Sequence, residues 1–387
     1  MSPLPRAPLV MARDTQSDED SHTLTLFLCG DVMTGRGVDQ VLPHPCDPRI
    51  YESYVKSAGD YVKIAEHANG PIPAPVPFDY IWGNALAELG VRKPAARIVN
   101  LETAVTSDGL PEMKGINYRM HPENVGALMV AGIDCCVLAN NHVLDWGRDG
   151  LLETLRTLEA AGIAYAGAGR DAAEAEAPAV AAHGDGRRVM VFALGSPTAG
   201  VPLHWAAGPS KPGVNLLPDL TRETAERIAD SIRAHARSED LVVVSIHWGS
   251  NWGYEVSGEQ RDFARWLIEA SPASIIHGHS SHHPRAIEVH RGKLILYGCG
   301  DFINDYEGIA GCEYFRDDLV LMYFPALRVT GGTLAKLEIV PLKIRNMRLE
   351  EASRADSEWL VRTLTREGRP LGTRIEKAPD GALYLAW

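Results

Sequence analysis

Five short apolar runs in this chain each end on side chains that can bind a metal, and that pattern restricts the fold more than any other. Leu24–Leu28 runs into Cys29-Gly30-Asp31, and Arg97-Ile98-Val99 into Asn100-Leu101-Glu102. Ile133–Leu138 leads to Ala139-Asn140-Asn141-His142, and Leu241–Ile246 to His247-Trp248-Gly249. The fifth, Ile275-Ile276, opens on His277-Gly278-His279-Ser280-Ser281-His282-His283, so four of the fourteen histidines fall within seven residues. Runs this short and this apolar read as buried strands, and imidazole is the commonest side-chain metal ligand. In open α/β sheets ligands bind beyond the carboxyl ends of the strands. Five separate segments can therefore converge on one site.

The stretches between the runs carry helical patterns. Helices are expected over Phe78–Leu89, Pro122–Ala131, Asp149–Ala161, Thr221–Ala236 and Ser257–Ala270. Pro122 suits a first helical position, Ser257 with Gln260 makes a capping-box pattern, and Gly162 suits a left-handed cap. Val189–Leu194 and Leu294–Tyr297 are apolar throughout, as in sheets covered on both faces. Strands alternating with helices argue for a layered α/β domain. Two Pro- and Gly-rich stretches, Asp39–Pro77 and Ala199–Pro218, interrupt the rhythm and read as long connections that act as lids or lack order. The chain divides into a disordered arm (1–21), one catalytic domain (22–345) and an accessory segment (346–387) with a short helix, Ser357–Glu367, and a hairpin turning at Asp380-Gly381.

Composition removes some classes of function. A net charge of −12 opposes non-specific nucleic-acid binding, which depends on neutralising phosphates. It leaves room for an anionic substrate, because bound metal inverts the local charge. No segment approaches the ~18 apolar residues of a membrane span, and the first residues lack a basic-then-apolar secretory signature. The six cysteines form no Cys-x-x-Cys pair, and read as free, mostly buried thiols of a reducing compartment. The expectation is a cytoplasmic protein with neither a membrane nor a nucleic-acid partner.

Taken singly, Asp31 reads as a turn residue, Glu102 as an ion-pair partner and His247 as a core histidine. Taken together they suit a borderline divalent ion such as Mn, Fe or Zn. Arg36 and Arg285 read either as surface residues or as clamps for an anion. Trp248 and Trp252 read as loop packing or as pocket wall, and Asp145 as shaping the turn before the Asp149 helix. No Gly-x-x-x-x-Gly-Lys loop is present, which favours hydrolysis over ATP-driven ligation.

The order Gly-Asp, Asn-Leu-Glu, Asn-Asn-His, His-Trp-Gly, Gly-His…His over Leu24–Tyr306 resembles the CapA (poly-γ-glutamate capsule biosynthesis) family of the calcineurin-like metallophosphoesterase superfamily. The resemblance implies a four-layer αββα sandwich, with a small C-terminal helix-hairpin appendix, around two divalent ions (Mn, Fe or Zn). Asp31 then matches the first metal carboxylate and Glu102 the carboxylate bridging two metals. Asn141 matches the amide ligand of the second metal, and His247 an imidazole ligand. His279 and His282 match the closing pair, with His277 and His283 as substitutes. His142 matches the histidine near the leaving group, so Asp31, Glu102 and His142 carry the catalysis. Met33 stands where the wider superfamily has a ligating histidine, and Asp301 reads as a ligand or a turn cap. The activity implied is attack by a metal-bound hydroxide on a phosphoester or amide, γ-glutamyl amides included, of a small, peptide or polymeric anionic substrate. The alternatives are a non-catalytic, metal-containing accessory protein for an acidic polymer or peptide, and an amide-forming enzyme on the same site.

Overall fold

The computed structural model describes residues 23–182, 188–379 and 381–387. The arm over residues 1–21 and Asp380 of the expected hairpin turn lie outside them. Two sheets dominate. In the ten-stranded sheet, Thr23–Val32 lies centrally, parallel to Ala96–Leu101 on one side and antiparallel to Leu319–Arg328 on the other. In the six-stranded sheet, Leu241–His247 lies between Arg188–Gly195 and Ala273–His279, parallel to both.

Strand residues point to alternate faces, and the packing follows that period. Leu24, Leu26 and Leu28 meet Val189, Val191, Val243 and Ile275 in a core between the two sheets. Phe27, Val99 and Leu101 face the other way and pack with Leu89, Leu151, Leu155 and Leu158, which lie on helices. Met190, Phe192, Val242 and Val244 meet Ile228, Ile232, Phe263 and Leu267 of the helices Arg222–His235 and Gly258–Ala270. Helix, sheet, sheet, helix is the four-layer αββα order. Runs apolar on both faces are what two covered faces require.

Helix boundaries follow local chemistry. Thr221 caps Arg222–His235, and Ser257 with Gln260 completes the capping box of Gly258–Ala270. The stretch expected as one helix over Phe78–Leu89 is broken instead. It starts as a 3-10 turn at Tyr80–Trp82, and Asn84–Arg92 is the α-helix. The break is at Gly83, with φ +43 and a close approach to Leu349 O, 2.1 Å from where a Cβ would stand. Pro122–Ala131 likewise splits into a 3-10 turn, Pro122–Val125, and a short helix, Gly126–Val130. The Asp39–Pro77 connection is more ordered than its composition suggested, for it holds the eleven-residue helix Gly59–Asn69. At the C-terminus the helix runs Arg354–Gly368, and the strands Arg374–Lys377 and Leu383–Ala386 extend the edge of the larger sheet. All six cysteines are free and five are buried.

The layer under the first sheet is anchored by Trp82, which is fully buried, donates from Nε1 to Ala127 O at 2.7 Å and packs on Phe302. Trp82→Ala is expected to cost about 3–5 kcal/mol, read as a lowered denaturant midpoint with unchanged slope.

Candidate metal centre

Strand register assembles the site. In the larger sheet Asp31 lies opposite Asn100 on one neighbour and Asp301 on the other. In the smaller sheet His247 lies opposite His279, and Ser245 opposite His277. The two sheets are joined at this end by His277 Nε2, 2.7 Å from Cys29 O, and by Ser280 N, which donates to Asp31 Oδ2 at 3.2 Å. Gly30 allows the chain to pass Gly300, whose carbonyl oxygen would stand 1.6 Å from a Cβ at that position. Ser280 itself adopts φ +95, a conformation rare outside glycine that recurs where a turn is held for function.

Two groups of buried side chains could each hold an ion: Asp31 with His247 and His279, and Asp31 with His282 and Asp301. Asp31 is common to both. Glu102, matched by resemblance to a bridge, belongs to neither; its Oε1 lies 3.8 Å from His142 Nε2 and 3.9 Å from His247 Nε2. Asn100 Nδ2 donates to Asp31 at 2.7 Å and reaches Glu102 at 3.3 Å, so one amide orients both carboxylates. Asn141 Oδ1 is 3.1 Å from His247 Nε2. Asp301 accepts from Asn304 and pairs with His282 at 2.8 Å. As for the substitutes, His277 lies behind His279, and His283 stacks on Phe315 with its Nε2 unpartnered.

Hydrogen bonds behind the site set the imidazole tautomers. His277 donates from Nε2 to Cys29 O, which leaves its Nδ1 to accept from Ser245 Oγ at 3.0 Å. Ser245 Oγ in turn accepts from His279 Nε2 at 2.8 Å. His279 Nδ1 therefore presents a lone pair, 2.8 Å from His247 Nδ1 and 3.9 Å from Asp31. If His247 donates from Nδ1 there, its own Nε2 lone pair faces the Asn141 oxygen. Buried imidazole lone pairs and carboxylates brought this close together are groups a cation would satisfy. Nitrogen and carboxylate ligands fit Mn, Fe or Zn, so the residues present fit the group.

The charges agree. Burial and then the nearby Asp301 carboxylate push Asp31 up to about 7, and burial and Asp31 push Glu102 well above the usual carboxylate range. Burial drives His247 and His279 well below an ordinary imidazole. His282 moves up because its contact with Asp301 outweighs burial. The shifts of Asp31, Glu102, His247 and His279 report groups crowded into a dry site that disfavours their charged forms, and that of His282 reports its pairing with Asp301.

The site opens where burial is least complete, at half-buried Asn141 and at His142 and His282. His142 Nδ1 is 2.6 Å from Asp145 Oδ2, which also accepts from Tyr118 N. Lys114 Nζ reaches Asp145 Oδ1 at 2.7 Å. Asp145 thus orients His142 as well as shaping a turn. Burial chiefly, with Lys114, lowers His142 to about 4 although Asp145 opposes this. Trp248 is core, stacked on Tyr297, whereas Trp252 lies against His282. Arg36 and Arg285, read as surface residues or clamps, are both buried, and Arg36 is paired with Asp305 and Glu52. Met33 is buried against Tyr306. Sequence reasoning passed over Asn100, Ser245 and the orienting role of Asp145; only their positions on or just after the same strand ends could have signalled them.

Residues 25–306 match the family model described as bacterial capsule synthesis protein PGA_cap. A probable polyglutamine synthesis accessory protein of Mycobacterium tuberculosis is 46% identical over 94% of this chain and 96% of its own length. The capsule biosynthesis protein CapA of Bacillus anthracis is 25% identical over 90% of this chain and 74% of its own. A phosphatase of Mycoplasma pneumoniae overlays 85% of this chain and 95% of its own at 12% identity, with a TM-score of 0.44, too loose a fit to argue from. A match over most of the chain and a full-length relative at this identity place the protein plainly: it belongs to the bacterial capsule synthesis protein family PGA_cap.

Proposed function

We propose that this protein is a divalent-metal-dependent hydrolase of CapA type that cleaves a phosphoester or an amide, γ-glutamyl amides included, in a small, peptide or polymeric anionic substrate. The observation that carries this reading is the pair of buried ligand groups sharing Asp31, with His142 at their mouth. When bound, the ions would supply Lewis acidity and lower the pKa of water to near neutrality. Asp31, Asp301, His247, His279 and His282 would hold them, with Asn141 and Glu102 beside them. Asp145 holds His142 by Nδ1, so Nε2 is the atom free to exchange a proton with the reacting groups. Lys114, partly exposed beside Asp145, adds positive charge where an anionic substrate would enter. Free thiols fit a cytoplasmic setting, and no helix among the described residues is long and apolar enough to cross a membrane.

A second reading, a metal-containing binding protein for an acidic polymer, draws on the word accessory in the name of the Mycobacterium tuberculosis relative. Amide formation on the same site is a third. Elemental mass spectrometry of the purified protein separates the first two. About two Mn, Fe or Zn ions per chain, reduced in His279→Ala, support the hydrolase. A single ion favours the binding protein. Protein that is metal-free and takes up none of these ions sinks the metal-dependent reading.

A further inference from the structure

Near the ligand groups lies a buried cation that lacks a counter-ion. Arg285 is 2% exposed and forms no ion pair among the described residues. Its Nη2 donates to Ser250 O at 2.7 Å and to Ser250 Oγ at 3.0 Å, while Nε has no partner. Burial alone lowers its pKa to about 10, with no neighbouring charge to oppose it. Such a group is costly unless an anion joins it.

Gln260, 5% exposed, repeats the pattern. Its Oε1 accepts from Ser257 N in the capping box, and its Nε2 has no acceptor. The two side chains meet at Gly249, where a Cβ would stand 2.8 Å from Gln260 Nε2 and 3.3 Å from Arg285 Nη1. Both line a cleft of about 430 Å³ that also bears Glu255 and Glu259, two exposed carboxylates. The loop Gly249–Gly253 ties this cleft to the metal ligands: Asn251 O accepts from His282 N at 3.0 Å, and Gly249 O accepts from Ser280 Oγ at 3.4 Å.

We infer that this cleft is a carboxylate-binding subsite, in which Arg285 and Gln260 hold a carboxylate of the substrate. Planar N–H donors match a planar carboxylate. The two glutamates oppose a phosphate dianion and would accept an ammonium or amide N–H beside the bound group. The ligand class is therefore an amino-acid-like unit rather than a phosphoester. The inference rests on the proposed function only in making this unit part of the substrate.

The test is calorimetric titration of the full chain, as isolated, with a γ-linked trimer of glutamate. Glutarate, glutaramide and inorganic phosphate serve as competitors. Gln260→Glu keeps the capping acceptor but turns a carboxylate towards Arg285, and Arg285→Met removes the cation. Saturable binding is expected, displaced by glutarate and not by the other two, and weakened at least about tenfold in either variant with metal content unchanged. The melting temperature of Gln260→Glu should rise, because the introduced carboxylate supplies the missing counter-ion. Should Arg285→Met fail to fold, Gln260→Glu decides alone. No trimer binding, equal binding by the variants, or displacement by phosphate as readily as by glutarate overturns the subsite. Absence of hydrolysis, with binding and its loss in Gln260→Glu intact, sinks the hydrolase and leaves the subsite standing.

Discussion

Asp31→Asn should strip the protein of both ions, lowering metal affinity by at least about 10²-fold, because Asp31 is the carboxylate common to both ligand groups. An amide there keeps the shape but loses the negative charge and one acceptor oxygen. His279→Ala and Asp301→Asn should each empty only one group. Elemental analysis of the three variants separates these outcomes, and two ions retained in Asp31→Asn would remove Asp31 from the centre. Glu102→Ala tests the bridging role implied by resemblance: lost turnover in a folded protein supports it, and full activity counts against it.

Asp31 also makes the metal-free protein sensitive to pH. Its folded pKa of about 7 lies above its ordinary 3.8, so the folded state holds the proton more tightly. Stability then falls as pH rises through that window. His142 and His277, lowered to about 4 from 6.5, act oppositely and lose stability as pH falls below 6.5. Above 6.5 the carboxylate effect remains, and His282, held up by Asp301, adds to it in the same direction. Chelator-treated wild type should therefore melt lower at about pH 7.5 than at about pH 6.5. The drop should shrink in Asp31→Asn and on adding Mn, because metal favours the ionised carboxylate. A melting point that rises over this interval would contradict the shift.

The second large effect is expected from His142→Ala. Loss of a group that carries a proton in the transition state costs about 10²–10⁴ in turnover. His142 lies outside both ligand groups, so the metal count should not change. Asp145→Asn should lower turnover by a smaller factor, since Tyr118 N and Lys114 still hold the loop. Unchanged turnover in His142→Ala would end its proposed role, and lost metal would move it into the ligand set.

Much of the layer order was legible along the chain. Val189–Leu194 and Leu241–Ile246 are apolar at every or nearly every position, which suits only strands covered on both faces, and the capping box at Ser257 and Gln260 is a local contact between residues three apart. What failed was non-local. Arg36 reads as a surface residue because its partner Asp305 is 269 positions away. Arg285 hides its burial in the same way. Gly83 breaks a helix because Leu349 passes close to it, an approach that no local pattern announces.

The sequence by itself determined that strand ends bearing Asp, Glu, Asn-His and His would gather at one edge of a layered α/β domain. Apolar periodicity sets which segments become strands, and parallel strands place their carboxyl ends together. Only the tertiary structure decided which atoms face one another. Pairing register set Asp31 opposite Asp301 and His247 opposite His279, making Asp31 the shared carboxylate. The contact of His277 with Cys29 O, 248 positions apart, set the tautomer that turns a lone pair of His279 towards the site. Register and tautomer depend on hydrogen bonds between distant segments, and such bonds exist only once the two sheets have packed.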